Sequence, residues 1–137
     1  MNALAQEIHK NAVAHGWWDG AERKLPEILM LIVSELAEAL EEYRNGRPML
    51  YHECNALKEP CATTGEGAER ECKQFAGLED DCVEWNPKPE GIAIELADAV
   101  IRILDYCGKA NIDIEDAIRM KHEYNTTRPY RHGGKAC

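Results

Sequence analysis

Two short stretches of this chain repeat one frame: Glu35-Leu36-Ala37-Glu38 and Glu95-Leu96-Ala97-Asp98. Residues three apart on a helix share a face, so each stretch aims two carboxylates in one direction. Both sit inside the densest apolar runs of the sequence, near 28–40 and 92–104, where little polar face remains to hold a solvated charge. Four carboxylates converging between apolar helices repel one another unless a cation neutralises them. Carboxylate oxygens and water are what a hard divalent ion prefers, so Glu35, Glu38, Glu95 and Asp98 are expected to bind Mg²⁺, with Mn²⁺ as the alternative. Glu42, four residues past Glu38, extends the same face, and Glu41 is less well placed. The competing reading is a set of acids solvated on exposed faces. A dinuclear redox site would need Glu-x-x-His pairs, and neither frame has a His at that offset.

A basic group stands at the other end of the chain. Lys121 and Asn125 are four apart on one helical face, and Arg128 follows just past it; Arg131, His132 and Lys135 continue the positive character. A divalent ion with cations nearby suits polyphosphate chemistry, the ion bridging phosphate oxygens while Lys and Arg hold the rest. Ordinary surface charge at a helix C-terminus is the plainer alternative. Trp17-Trp18 offers aromatic faces on which a nucleobase stacks, although anchoring of the core or of a subunit interface is the preferred explanation.

These groups need helices to position them, and four segments have helical spacing. The first runs from Asn2, as N-cap, to His15, with Gly16 ending it and Leu4, Ile8 and Ala12 as its buried stripe. The second opens at Pro26 and closes at Asn45-Gly46, and the third runs from about Pro89 to Gly108. The fourth opens with Asp113 as cap and Asp116 three residues on, a capping-box analogue, and stops before Arg128-Pro129. Val and Thr are scarce and no run alternates with period two, so strands are not expected. The tail from Tyr130 reads as irregular.

The fold class is therefore all-α, a four-helix bundle type in one domain over 1–137, interrupted by an irregular, Cys-rich insertion at about 50–88. A short helix from Glu66 to Phe75 is the one element expected within it. Its Cys54, Cys61, Cys72 and Cys82 supply four thiols for Zn²⁺, but gaps of six, ten and nine residues lack any Cys-x-x-Cys knuckle. Thiols without metal are the preferred reading, ahead of zinc and of a disulfide in an oxidising setting. Cys107 reads as core. The broad apolar faces of the second and third helices exceed what 137 residues bury alone, which points to a homodimer or homotetramer.

Charge narrows the partners. Asp and Glu number 25 against 16 Lys and Arg, a net charge of −9, which argues against nucleic-acid polymers and anionic membranes. No apolar stretch approaches membrane-spanning length, and Met1 to Glu7 lacks a basic region followed by an apolar run, so a cytoplasmic protein is expected.

Glu35-x-x-Glu38 followed by Glu95-x-x-Asp98 resembles the signature of the MazG-like all-α nucleoside triphosphate pyrophosphohydrolases. The context fits: Pro26 to Gly46 around the first pair, Lys88-Pro89-Glu90-Gly91 to Gly108 around the second, and Lys121 to Lys135 after them. The likeness covers roughly 15–48 and 87–135. It implies Mg²⁺-dependent hydrolysis of a (deoxy)nucleoside triphosphate to the monophosphate and pyrophosphate, in a helical dimer or tetramer with pockets at subunit contacts. Carried over, Glu35, Glu38, Glu95 and Asp98 would be metal ligands, with Glu38 or Glu35 activating water. Lys121, Asn125 and Arg128 would hold phosphates. The family usually joins its two acidic pairs by a short link, whereas 56 residues separate Glu38 from Glu95 here. Extra loop length costs little closure entropy, so the insertion can loop out and alter substrate choice. Two other functions compete: a non-catalytic nucleotide-binding or sensor module, and a helical assembly protein whose acids are only solvated.

Overall fold

The computed structural model describes residues 1–20, 22–52 and 88–129. The four insertion cysteines, the expected helix from Glu66 to Phe75 and the basic residues Arg131, His132 and Lys135 lie outside them. The described elements are α1 (Asn2–Ala14), α2 (Leu25–Arg44), β1 (Tyr51–His52), β2 (Pro89–Glu90), α3 (Ile92–Ala110) and α4 (Ile114–Thr126). The all-α class holds: the described residues are mostly helical. None of these helices is long and apolar enough to cross a membrane. The chain divides into two units, residues 1–28 with 101–137, and residues 29–100.

In the first unit, Ala5, Leu104 and the Cys107 thiol form the core, with Ile8 and Ile114 packed against it. Burial pushes the Cys107 thiol up, as suits a core residue. Of the expected stripe, Ile8 packs on this core and Ala12 is half-buried, while Leu4 is exposed and Ala5 is buried in its place. Ala5 lies against Gly108. A methyl group there would strike the Ala5 carbonyl oxygen and approach the His9 Cβ to 2.6 Å, so α1 and α3 meet through their smallest side chains. Gly108 is thus interior to α3 and does not end it. That role falls to Asn111 at φ 52°, with Ile112 N–H donating to the Cys107 carbonyl at 3.0 Å, the Schellman pattern. Gly16, at φ 76°, ends α1 in the same way as expected.

The cap of α1 is Met1, and Asn2 is drawn off to a different task. Its amide donates to Asp113 Oδ1 at 2.7 Å and its oxygen accepts from the Glu115 N–H at 3.2 Å, joining the starts of α1 and α4. Asp113 caps α4 through the Asp116 N–H at 2.9 Å. The Asp116 carboxylate turns to Arg119, so the reciprocal half of a capping box is not made.

The second unit contains two strands where none were expected. Tyr51 pairs with Glu90 and His52 with Pro89 in an antiparallel ladder too short to leave a period-two signal. Pro89 therefore belongs to β2, and α3 starts at Ile92. Between them Gly91 turns at φ 108°, with the Pro48 and Met49 carbonyl oxygens 2.7 and 2.8 Å from where a Cβ would stand. Only glycine fits that position. The Ala93 N–H then donates to Met49 at 2.9 Å, pinning the first turn of α3.

Candidate metal centre

Glu35 on α2 and Glu95 on α3 are 5% and 6% exposed, the buried charged residues among those described. Each is followed four residues later by a buried alanine, Ala39 and Ala99, so the repeated frame extends to five residues and buries the same two positions in both helices. Small alanines beside each acid leave room for the helices to bring the carboxylates together. Asp98, half-buried, completes the group: one oxygen from each of Glu35, Glu95 and Asp98 lies within 4.8 Å of the others. A cation at about 2.0–2.6 Å from each ligand holds adjacent oxygens roughly 3–4 Å and opposed ones roughly 4–5 Å apart, so these three oxygens would close in somewhat around a hard divalent ion.

Electrostatics favour the same reading. The Glu95 carboxyl is held above its ordinary value, first by burial and then by Glu38, Glu90, Asp98 and Glu35. Glu38, expected as a fourth ligand, is exposed and stands outside the group of three, although its charge is the strongest of those acting on Glu95. Glu90 was not anticipated. Its place on β2 opposite Tyr51 brings it beside the cluster, and the Lys88 ammonium pairs with it at 2.6 Å. Lys88 is held above its usual range chiefly by that hydrogen bond, with Glu95 and Asp98 contributing. A two-residue strand after an insertion carries no periodic signal that would have found Glu90.

Glu42 extends the acidic face as expected, but Tyr51 claims it. The phenol hydrogen-bonds the Glu42 carboxylate, and burial followed by this neighbour pushes the phenol up. Glu42 Oε2 is buried with no partner among the described residues.

The remaining expected site residues that are described belong to the first unit. Lys121 and Asn125 on α4, and Arg128 beyond it, are exposed; the Lys121 ammonium lies 5.0 Å from the Tyr124 ring centre. The two indoles have intramolecular partners. Trp18 Nε1 donates to Asp105 at 3.0 Å, beside a 2.7 Å contact from His9 Nδ1, and Lys109 sits 3.9 Å over its ring. Trp17 carries the Arg23 and Arg102 guanidinium groups at 4.8 and 4.9 Å.

Comparison with known proteins returned no match: no family model, no curated protein and no solved structure.

Proposed function

We propose that the chain is a divalent-cation-dependent nucleoside triphosphate pyrophosphohydrolase of the MazG-like all-α type. The observation that carries this is the convergence of Glu35, Glu95 and Asp98 from two helices, with Glu95 held above its ordinary value by burial and then by neighbouring acids. Such a cluster is stabilised by a cation and poorly explained by packing. Glu35, Glu95 and Asp98 would hold Mg²⁺, which when bound would supply Lewis-acid stabilisation of phosphate oxygens and a water of lowered pKa. Glu38, exposed beside them, would accept the proton of the water, with Glu35 as the alternative base. The resemblance would assign Lys121, Asn125 and Arg128 to phosphates and the Trp17-Trp18 pair, less directly, to the base.

Self-association belongs to this reading. Leu29, Val33, Leu36, Leu40 and Tyr43 follow alternating four- and three-residue steps along α2, and each is 45–71% exposed. That is a heptad seam, and a second copy of the chain is its proposed partner in a homodimer or homotetramer. A nucleotide sensor without turnover would share the metal and lack the chemistry. Pyrophosphate release from a panel of dNTPs and NTPs with Mg²⁺, beside Glu38→Gln and Glu95→Gln, decides between them. Turnover lost in both variants is the expected result; a folded, metal-binding wild type inactive on every nucleotide would overturn the enzyme assignment.

A further inference from the structure

A pocket of about 420 Å³ opens in the first unit, and the groups around it are mainly cationic. Arg23, Lys24 and Lys109 line it, with Tyr106, Leu25 and a single acid, Glu22. In a chain of net charge −9, three cations converging on one concavity is the opposite of the background. None belongs to the carboxylate cluster or to the Lys121, Asn125 and Arg128 set.

Two of the three cations are held in place by the paired indoles. Arg23 lies 4.8 Å from the Trp17 ring centre and Lys109 3.9 Å from that of Trp18, while Asp105 fixes the Trp18 indole through Nε1. A cation resting on an aromatic face keeps its charge and its donors for a ligand, which a carboxylate partner would occupy. Among the described residues Arg23 has one ion pair, a long 3.7 Å contact from Nε to Glu27 that leaves its terminal nitrogens out of the pairing. Lys24 is exposed and makes no ion pair among the described residues. Leu25 is the first residue of α2, so the positive end of that helix adds to the field.

We infer that this pocket binds a phosphate ester of a hydroxylated small molecule, such as a sugar phosphate or a nucleoside monophosphate. One guanidinium fork and two ammonium groups match a multiply charged tetrahedral anion better than a single carboxylate. Tyr106 is in the lining, and a phenol is a hydrogen-bond donor. Glu22, the only acid in the lining, repels a bare anion but accepts hydrogen bonds from hydroxyl groups carried by the same molecule. The volume is in the range of small-molecule sites. Nothing in this assignment depends on the carboxylate cluster or on its proposed reaction.

The test is calorimetric titration of the full-length protein with inorganic phosphate and with ribose 5-phosphate, in EDTA so that the carboxylate cluster holds no metal to recruit phosphate. Saturable binding of both is expected, with ribose 5-phosphate the tighter. Lys24→Ala, at an exposed position, should weaken both at least threefold, and Lys24→Ala with Lys109→Ala at least tenfold, with the circular dichroism spectrum unchanged. Glu22→Gln should erase the preference for the ester while leaving phosphate binding intact or stronger. Glu95→Gln should leave all of these unchanged. Absence of saturable binding to the wild type, equal binding by Lys24→Ala, or loss of binding in Glu95→Gln would each overturn the proposal.

Discussion

Asp113 and Glu95 are both carboxylates at the start of a helix, and their surroundings push them in opposite directions. Asp113 accepts from the Asn2 amide and the Asp116 N–H, and these donors hold its carboxyl below the usual range. The Glu115 carboxyl is lowered by the N-terminal ammonium and by a hydrogen bond it accepts from the Asn2 backbone N–H. Asp105 likewise collects Trp18 and His9. Glu95 has burial and four further acids acting on it, and is raised. Asp113, Glu115 and Asp105 in the first unit accept from donors of the chain, whereas Glu95 in the second is surrounded by other acids whose crowding a cation would relieve. In Asp113 and Glu95 the direction of the shift follows from what surrounds the carboxylate, hydrogen-bond donors in one and burial among other acids in the other.

The largest effect expected from this contrast is on turnover. Glu95→Gln should reduce pyrophosphate release on the order of a hundredfold or more with Mg²⁺ present, and Asp105→Asn should spare most of it, as judged by steady-state assay. Next in size are the two close-approach glycines. Gly108→Val forces a side chain against the Ala5 carbonyl and should cost roughly 3 kcal/mol by urea denaturation. Gly91→Ala, at φ 108° and against two carbonyl oxygens, should cost about 1–3 kcal/mol and displace the first turn of α3. A comparable loss of Mg²⁺ affinity in Gly91→Ala, absent in Gly108→Val, would sharpen the contrast between the units.

Stability against pH should separate the two kinds of acid. A carboxyl raised in the folded state contributes stability that is present below its unfolded value and lost as pH rises through its folded value. Metal-free wild type should therefore melt higher as pH is lowered from 7 toward the region just above 4.5, and Glu95→Gln should flatten that rise. Asp113 and Glu115 work the other way, contributing stability above their unfolded values that disappears as pH falls through their lowered ones. Saturating Mg²⁺ should remove the Glu95 slope and leave the acid-side loss. The smallest expected effect is that of Asp113→Ala, about 1 kcal/mol for one helix cap, read from thermal melts at pH 7.

Three of the four paired acids were easier to read in the sequence as a cluster than the elements that support them. Glu35, Glu95 and Asp98 stand at helical spacing in apolar runs, and periodicity carries that information directly. Cys107 in the core, the Gly16 turn and the Asp113 cap were also legible, because each follows from local chemistry. Gly108 was not: near the end of a periodic run a glycine reads as a stop signal, and only the approach of α1 reveals it as a packing residue. Asn2 looked like a cap for its own helix, whereas the donors and acceptors of α4, more than a hundred positions away, claim its side chain. Glu90 and Tyr51 meet across two-residue strands separated by the insertion, a pairing with no local trace.

Manganese binding measured by electron paramagnetic resonance tests the central claim most directly, because Mn²⁺ reports the site whether or not any nucleotide is turned over. Saturable binding of Mn²⁺, displaced by Mg²⁺, weakened at least tenfold in Glu35→Gln and in Glu95→Gln and unchanged in Asp105→Asn, is the predicted result. Mn²⁺ that fails to bind the folded wild type, or binds all four proteins alike, would contradict the assignment of Glu35, Glu95 and Asp98 as a metal centre.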